Sequence, residues 1–347
     1  MVILLKKGYK KEELSSLASY ITACGATYNL VCGKGFDYLE LSGDVYKVDP
    51  EVLREKRMAA GVEEFSSPYV YATKKSGKTA QKIITVGSVK IGNGNFTVIA
   101  GPCSVESEKS VIDIAVAVKN AGADILRGGA FKPRTSPYTF QGLGEDGVKF
   151  LIKAKKETGL PIVTEITGVN RLNLFSEVDL IQIGARNMQN FELLKEVAKL
   201  KKPIFLKRGF SNTVREFLFS AEYLLSEGAD DVILCERGIR TFETITRSTL
   251  DLSSVAALKT MTGLPVFVDP SHASGSSKLV KPLSLASAAV GADGLMIETH
   301  LSPEEALSDG AESVTPAVLK DIIAAAKSVV NACKTADRTR TRHFSIR

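Results

Sequence analysis

The chain has 347 residues, of which 44% are hydrophobic and 24% charged, an ordinary composition for a globular protein. No apolar run reaches the roughly 18 residues that a membrane-spanning helix needs. The apolar run near the amino terminus is shorter than the core of a signal peptide, and no small-residue cleavage site follows it. We therefore expect a cytoplasmic protein with no membrane partner.

The formal net charge of +6 is concentrated at the carboxyl terminus. Residues 334–347 hold five Lys or Arg side chains and one Asp, which leaves a net charge of +2 for the rest of the chain. We predict a polar, basic, mobile tail over these residues. A nucleic-acid role for the tail is an alternative, but the rest of the chain gives no reason to expect nucleic acid as a partner.

The cysteines are scattered along the chain and form no Cys-x-x-Cys pair. Their odd number and irregular spacing argue against a disulfide framework and against a structural zinc site. One or two of them are candidates for functional thiols. The five are Cys24, Cys32, Cys103, Cys235 and Cys333.

Residues 1–73 predict a small α+β domain. The stretches "VILLKK", "TYNLVC" and "YLELSG" are typical of strands, and "YVYATK" is a weaker candidate. The stretches "KEELSSLASYITACG" and "PEVLREKRMAA" predict helices. The resulting β-α-β-β-α-β order is that of a ferredoxin-like domain.

Residues 74–95 predict a linker followed by a β-hairpin. The linker, "KKSGKTAQK", is polar. Two alternating runs then flank Asn93-Gly94, a dipeptide that strongly favours a hairpin turn. We expect the hairpin to lie at the amino-terminal end of the domain that follows.

Residues 96–333 repeat one pattern, in which a short apolar run ends in a polar or glycine-containing cluster and a helical stretch follows. The runs are continuously apolar, as in parallel strands buried on both faces. Eight such units predict a (β/α)8 TIM barrel, with an open doubly wound sheet as the alternative. The runs are "FTVIAG", "ADILRGG", "PIVTEI", "DLIQIG", "PIFLKRG", "DVILCERG", "PVFVDPSH" and "DGLMIETH".

The active site of a TIM barrel lies at the carboxyl ends of its strands, and metal-binding side chains occur at three of them. Cys103 follows the first predicted strand and His272 the seventh. Glu298 ends the eighth strand, and Asp309 lies in the loop after it. These strand ends are neighbours in a closed barrel, so a shared divalent cation is predicted, with Mn, Fe, Co or Zn favoured over Mg or Ca. The plainer alternatives are a buried filler for Cys103 and a turn residue for Asp309.

Basic side chains also collect at the strand ends. Bases that converge in one barrel mouth indicate an anionic ligand with more than one phosphate or carboxylate. Ion pairs with Glu165, Glu236 and Glu243 are the structural alternative for some of them. The bases are Arg127, Lys132, Arg134, Arg186, Lys207, Arg208, Arg237 and Arg240.

The motifs at these strand ends resemble those of 3-deoxy-D-arabino-heptulosonate 7-phosphate (DAHP) synthase. They are "GPCSVES", "LRGGAFKPRTSPYTFQGLG", "QIGARNMQN", "LKRGF", "CERGIRTFE", "DPSHASG" and "IETH" with "ALSDG". The resemblance implies condensation of phosphoenolpyruvate with D-erythrose 4-phosphate and water to give DAHP and phosphate, the first step of the shikimate pathway. It also implies one divalent metal ion, a homotetramer, and an amino-terminal domain that binds tyrosine or phenylalanine as a feedback inhibitor. A purely structural or oligomerising role is the alternative for that domain.

The resemblance further implies roles for individual residues. Lys132 would donate a proton to the new alkoxide, with a pKa lowered by the crowding of Arg127 and Arg134. The metal ligands would be Cys103, His272, Glu298 and Asp309. The catalytic residues would be Lys132, Cys103, His272 and Glu165. Phosphoenolpyruvate would be bound by Arg127, Lys132, Gly184, Ala185, Arg186, Lys207 and Arg237. Erythrose 4-phosphate would be bound by Pro133, Arg134 and Thr135.

Two other functions compete with this interpretation. A 3-deoxy-octulosonate 8-phosphate synthase is a related barrel that uses arabinose 5-phosphate, but its second loop resembles "K-A-N-R-S", with an extra residue between lysine and arginine. The present run, Lys132-Pro133-Arg134-Thr135, has the heptulosonate pattern. A non-catalytic sensor barrel is the second alternative, and the presence of every expected metal ligand and basic anchor argues against it.

Overall fold

The computed structural model describes residues 2–5, 8–32, 37–44, 47–49, 52, 62–65, 69, 71–73, 81–134 and 136–344. The chain divides into two compact units, Met1–Thr73 and Lys74–Arg347, and each is described by itself. Within these described residues, no helix combines the length and the hydropathy needed to cross a membrane.

The amino-terminal unit is an antiparallel sheet with a helix packed on it. Its strands are ordered β2-β3-β1-β4, so that β1 lies between β3 and β4, as in a ferredoxin-like domain. Ile3, Leu17, Ile21 and Leu39 are fully buried between helix and sheet. The elements are β1 (Val2–Leu5), α1 (Lys11–Ala23), β2 (Ala26–Cys32), β3 (Asp37–Gly43) and β4 (Val62–Phe65).

The fourth strand of this unit differs from the sequence prediction. It is "VEEF" (Val62–Phe65) and not "YVYATK", whose described residues 71 and 72 form a turn. Two glutamates leave "VEEF" without an apolar run, and an edge strand needs backbone hydrogen bonds along one side only. The predicted second helix, "PEVLREKRMAA", lies outside the described residues except for Val52, which is helical.

The second unit contains a closed barrel of eight parallel strands, which confirms the predicted TIM barrel. Each strand pairs with the next along the chain, and β14 closes the ring on β7. All eight predicted apolar runs form these strands. They are β7 (Thr97–Gly101), β8 (Ile125–Arg127), β9 (Ile162–Ile166), β10 (Leu180–Ile183), β11 (Ile204–Lys207), β12 (Val232–Glu236), β13 (Val266–Val268) and β14 (Gly294–Glu298).

Helices connect the barrel strands and carry the stop signals expected from the sequence. Helix α2 begins after Ser107, whose hydroxyl accepts a hydrogen bond from the Ser110 amide, and ends at Gly122 in the left-handed conformation. Between β9 and β10 the connection is a 3-10 helix, Val169–Phe175. The helices are α2 (Glu108–Ala121), α3 (Glu145–Thr158), α4 (Phe191–Ala198), α5 (Val214–Ser226), α6 (Leu252–Met261), α7 (Pro270–Ser274), α8 (Ser277–Ala289) and α9 (Pro316–Phe344).

Helix α9 extends further than the sequence predicts. The basic segment that we expected as a separate tail from residue 334 is helical as far as Phe344. This segment contains no glycine or proline that would stop the helix. Charge alone therefore gave the wrong boundary.

A hairpin, β5 (Ile84–Val86) and β6 (Val89–Ile91), precedes the barrel. Its turn is Gly87-Ser88, so the prediction that the hairpin turns at Asn93-Gly94 was wrong, although a turn does occur there. Asn93 and Gly94 form a separate tight turn in which both have positive φ, 51° and 86°. This turn cannot grow into a longer ladder, because the next strand, β7, is committed to parallel pairing on both sides.

The hairpin closes the amino-terminal end of the barrel with apolar side chains. Ile84, Val86 and Ile91 are fully buried and belong to one cluster with residues of the barrel strands, among them Phe205 and Phe267. The rings of Phe205 and Phe267 meet edge to face, with centroids 5.5 Å apart. One end of the barrel is thereby filled, and polar chemistry is confined to the other.

Replacing Ile84 by alanine is expected to lower the free energy of unfolding by about 2–5 kcal/mol, because the cluster cannot close over the lost volume. The neighbouring Ile83 is 47% exposed and supplies the matched control. Ile83→Ala should change stability by less than about 0.5 kcal/mol. Thermal unfolding followed by calorimetry compares the two variants. Equal losses of stability would contradict the conclusion that the hairpin closes this end of the barrel.

Candidate active site at the carboxyl ends of the barrel strands

Four barrel strands end on a buried charged residue. Arg127 ends β8, Lys207 ends β11, Glu236 ends β12 and Glu298 ends β14, and each is at most 4% exposed. Buried charges persist where they are paired or serve a ligand. Because the strands are parallel, all of these charges lie at the same end of the barrel, opposite the hairpin.

The four side chains predicted as metal ligands meet at this end. The ligand atoms of Cys103, His272, Glu298 and Asp309 all lie within 4.8 Å of one another. Cys103 Sγ is 3.1 Å from Asp309 Oδ2, and His272 Nε2 is 3.1 Å from Glu298 Oε1. Strands β13, β14 and β7 are adjacent in the ring, and this adjacency brings the four together.

The cluster has the properties of a cation site. Glu298 Oε2 is buried and has no hydrogen-bond partner in the described part of the chain, whereas Oε1 accepts from Arg127 Nη1 at 2.7 Å. Burial lowers the pKa of His272 to about 4, against the opposing effect of Asp269, so its imidazole is neutral. Burial also raises the pKa of the Cys103 thiol to about 12. Despite burial, the Cys103 hydrogen bond and the facing His272 bring the pKa of Asp309 down to about 2.

This donor set fits a divalent transition-metal ion. A sulfur, a nitrogen and carboxylate oxygens form a mixed set that borderline metals accept. A bound cation would satisfy Glu298 Oε2 and would displace the proton of the buried Cys103 thiol. The residues that the sequence predicts for a metal therefore lie where a metal could be held.

Asp269, which sequence reasoning did not select, orients the histidine. Its Oδ1 accepts the His272 backbone N–H at 2.9 Å, and its Oδ2 lies 2.6 Å from His272 Nδ1. Lys207 Nζ also contacts Oδ2. With Nδ1–H donated to Asp269, Nε2 keeps its lone pair for the cluster. The sequence "DPSH" could have indicated this role, because it places the Asp269 carboxylate three residues before His272.

Asp269→Asn is expected to weaken metal binding by about 10–100-fold, because the amide no longer fixes the imidazole tautomer. A competition titration with a fluorescent metal chelator measures this affinity. Asp293→Asn is the matched control, since Asp293 is also buried but accepts hydrogen bonds at the start of strand β13. Equal metal affinity in wild type and Asp269→Asn would contradict the orienting role.

An inner cavity beside the metal-ligand cluster collects the predicted phosphoenolpyruvate residues. Glu165 and His272 also line it, as do Gln182, Phe210 and Arg247. Glu165 packs so closely on Gly184 that a Cβ there would lie 1.9 Å from its Oε1, so a larger residue would displace the Glu165 carboxylate. The predicted residues found together are Arg127, Lys132, Gly184, Ala185, Arg186, Lys207 and Arg237.

An outer cavity of about 280 Å³ adjoins the inner one. Pro133 and Arg134 line it, together with Ser136 and Thr139 from the same loop. Thr135, also predicted here, lies outside the described residues. The two cavities adjoin, because both are lined by Lys132, Glu165, Arg186, Arg247 and His272.

Lys132 lies between the metal-ligand cluster and the cavities, but its predicted pKa shift was wrong in sign. Its Nζ is 2.9 Å from Cys103 Sγ and 2.9 Å from the Cys103 carbonyl oxygen. Burial and Arg127 disfavour the charge, yet Cys103 and Glu298 outweigh them and raise the pKa of Lys132. The sequence did not reveal that Cys103 and Glu298 lie close enough to Lys132 to raise its pKa.

Not every base at a strand end faces the cavities. Arg208 Nη1 pairs with Glu236 at 2.8 Å and with Asp251 at 3.0 Å, so this arginine has the structural role that we left as an alternative. Conversely, Arg247 was missed, although it lines both cavities and lies 3.7 Å from Asp309 Oδ1. Its Nη1 also binds both carboxylate oxygens of Glu312, at 2.7 and 2.8 Å.

Comparisons with known proteins agree with this site. The DAHP synthetase I family matches residues 71–335. The phospho-2-dehydro-3-deoxyheptonate aldolase of Thermotoga maritima is 43% identical over 337 residues, which cover 96% of this chain and 98% of the relative. A crystal structure of that aldolase (DAHP synthase) from the same organism has a TM-score of 0.75 and 41% identity, covering 95% of this chain and 97% of that chain.

A more distant relative acts on a different sugar phosphate by name. The 2-dehydro-3-deoxyphosphooctonate aldolase of Francisella tularensis subsp. holarctica is 31% identical over 274 residues, which cover 73% of this chain and 98% of the relative. The heptonate relative is therefore similar over more of the chain and at higher identity. The family match, the Thermotoga relative and the shared structure together show that this chain belongs to the DAHP synthetase I family and is a transferase with DAHP synthase activity.

Proposed function

We propose that the chain condenses phosphoenolpyruvate with D-erythrose 4-phosphate and water in a metal-dependent reaction that gives DAHP and phosphate. The observation that carries this proposal is the junction of two base-lined cavities beside the Cys103–His272–Glu298–Asp309 cluster. Two anionic substrates need two adjoining basic cavities, and a carbonyl to be activated needs an electrophile at their boundary.

The inner cavity suits phosphoenolpyruvate. Arg237 is buried, which lowers its pKa. Among the described residues its guanidinium donates only to uncharged acceptors, such as Ser248 Oγ at 3.1 Å and the His272 carbonyl at 3.0 Å. Its charge is therefore available to a carboxylate or phosphate. Arg186 and Lys207 line the same cavity. We assign these bases to the two anionic groups of phosphoenolpyruvate.

The outer cavity suits the sugar phosphate. Arg134 is partly exposed there, and Ser136 and Thr139 line the same space. Pro133 restricts the backbone between Lys132 and Arg134. We assign Arg134 to the phosphate of erythrose 4-phosphate. The aldehyde of this substrate would then be directed toward Lys132.

Cys103, His272, Glu298 and Asp309 would hold one divalent cation, which supplies Lewis acidity toward an aldehyde oxygen. In the proposed reaction, C3 of phosphoenolpyruvate bonds to the aldehyde carbon, and Lys132 protonates the alkoxide that forms. Water adds to C2 and gives up a proton to Glu165, which lines both cavities. The C2 hydroxyl then becomes a carbonyl as the C2–O bond to phosphate breaks, and its proton leaves with the phosphate.

An assay of phosphate release tests the proposed function. The chain is incubated with phosphoenolpyruvate and each sugar phosphate in turn, with Mn, Fe, Co or Zn added separately. We expect phosphate release with erythrose 4-phosphate that chelation abolishes and metal restores. A preference for arabinose 5-phosphate would assign the octulosonate reaction instead. Failure with both sugars and every metal would favour a non-catalytic barrel.

We further propose that the amino-terminal unit senses tyrosine or phenylalanine in a homotetramer. In support, Met1–Thr73 forms a compact unit with its own apolar core. A variant lacking residues 1–73 should retain catalysis and lose inhibition by the amino acid, and light scattering should give the mass of a tetramer for the full chain. Inhibition that survives the deletion would contradict the sensor role.

A further inference from the structure

Three arginine side chains surround a single phenylalanine ring at the mouth of the barrel. The guanidinium carbons of Arg237, Arg240 and Arg186 lie 4.7, 5.1 and 5.4 Å from the centroid of Phe210. These distances fall in the range of cation–π attraction. Phe210, Arg186 and Arg237 also line the inner cavity, so the ring adjoins the proposed phosphoenolpyruvate site.

Of these three arginines Arg237 is buried, whereas Arg186 and Arg240 are exposed, and all three differ from the buried arginines elsewhere in the barrel mouth in what they contact. Arg127 and Arg208 each have a carboxylate partner, Glu298 and Glu236, at 2.7 and 2.8 Å. In the part of the chain that the structure describes, no carboxylate lies within 4.0 Å of the three around Phe210. A carboxylate would hold an arginine in place but would also cancel the charge that an anionic substrate needs. An aromatic face attracts cations through its quadrupole and leaves their net charge intact.

Phe210 also fixes three loops relative to one another. It lies in the loop after β11, whereas Arg186 follows β10 and both Arg237 and Arg240 follow β12. The backbone N–H of Arg240 donates to the Phe210 carbonyl at 2.6 Å. Through its side chain and its backbone, Phe210 thus contacts arginines that follow the two strands next to β11.

We propose that Phe210 is a positioning residue whose ring holds Arg186, Arg237 and Arg240 together with their charges available for the anionic substrate. This inference rests on the proposed function, because it takes phosphoenolpyruvate as the occupant of the inner cavity. Three like charges repel one another, and without the ring the exposed Arg186 and Arg240 would move away from the buried Arg237. The site would then have to re-form at each binding event, at a cost in affinity.

The test compares Phe210→Leu, which removes the ring, with Phe210→Tyr, which keeps it. Calorimetric titration of phosphoenolpyruvate into the metal-loaded full chain should give a dissociation constant about tenfold higher for Phe210→Leu and close to wild type for Phe210→Tyr. The KM for phosphoenolpyruvate should rise in parallel, whereas kcat should change by less than about twofold. If the leucine variant does not fold, Phe210→Met supplies the same comparison.

Arg240→Gln, made in wild type and in Phe210→Leu, shows whether the ring acts through an arginine. The two substitutions should be less than additive, since each removes one side of the same contact. Wild-type affinity in Phe210→Leu, equal weakening in the leucine and tyrosine variants, or full additivity would each overturn the proposal. Titration with inorganic phosphate tests the role of the Phe210 ring independently of the proposed function. A wild-type chain that ignores phosphoenolpyruvate contradicts that function, while loss of phosphate binding in Phe210→Leu would still support the role of the ring.

Discussion

Cys103→Ala is expected to abolish metal-dependent turnover. Cys103 Sγ lies 3.1 Å from Asp309 and is one of four ligand atoms within 4.8 Å of one another. Loss of even an outer partner of a metal ligand costs about 10–100-fold, and loss of the sulfur itself should exceed that range. The measurements are kcat with each metal, and the thiolate-to-cobalt absorption band of the Co-loaded protein, which should disappear.

Cys235→Ala is the matched control for this experiment. Cys235 is also fully buried in the barrel, but it belongs to the apolar cluster near the hairpin and not to the metal-ligand cluster. It should keep the cobalt band and lose some stability from the cavity that it leaves. A metal-free Cys103→Ala enzyme with wild-type activity would contradict the metal assignment outright.

The barrel could be predicted from sequence because its signal is redundant. Each of eight strands is a continuous apolar run followed by charge or glycine, so an error in one run would not change the architecture. The hairpin lacked such redundancy. Asn93-Gly94 and Gly87-Ser88 are both plausible turns, and the choice depends on β7 pairing with barrel strands far along the chain. A local pattern contains no information about that pairing.

The candidate site was predictable to the extent that it sits on strand ends. Cys103, His272 and Glu298 follow directly from the strand positions and the order of the ring. Arg247 does not, because it lies well beyond β12 in a long loop whose path only the folded chain defines. Adjacent residues were also ambiguous. Lys207 faces the cavity, whereas Arg208 pairs with Glu236. The sequence of two adjacent bases does not indicate which of them faces the cavity.

Electrostatic environment was the least predictable property. From sequence, Lys132 has cationic neighbours, and this suggested a lowered pKa. In the fold it also contacts Cys103, which follows β7, and lies near Glu298 at the end of β14, and its pKa is raised. A pKa depends on every charge within several ångströms, and most of those charges are distant in sequence. The raised pKa favours the charged form of Lys132, and the proposed role of proton donor requires that form.

Lys132→Met is therefore expected to reduce kcat by about 10²–10⁴-fold, the usual contribution of a positioned general acid. The substitution removes the proton donor and also one positive charge shared by both cavities, so the KM for phosphoenolpyruvate should rise as well. Lys149→Met, on the exposed surface of α3, is the control and should match wild type. Steady-state kinetics with each substrate varied in turn measures both effects.

Lys132→Arg separates the two roles of the lysine. A guanidinium keeps the positive charge but does not release its proton at neutral pH. If Lys132 acts as the acid, the arginine variant should bind phosphoenolpyruvate with a KM near that of wild type and still lose most of kcat. If it retains wild-type kcat, charge alone is what the reaction needs at this position, and the alkoxide must take its proton from another group. Since Lys132 Nζ also contacts the Cys103 carbonyl and sulfur, metal content must be equal in all variants for this comparison to hold.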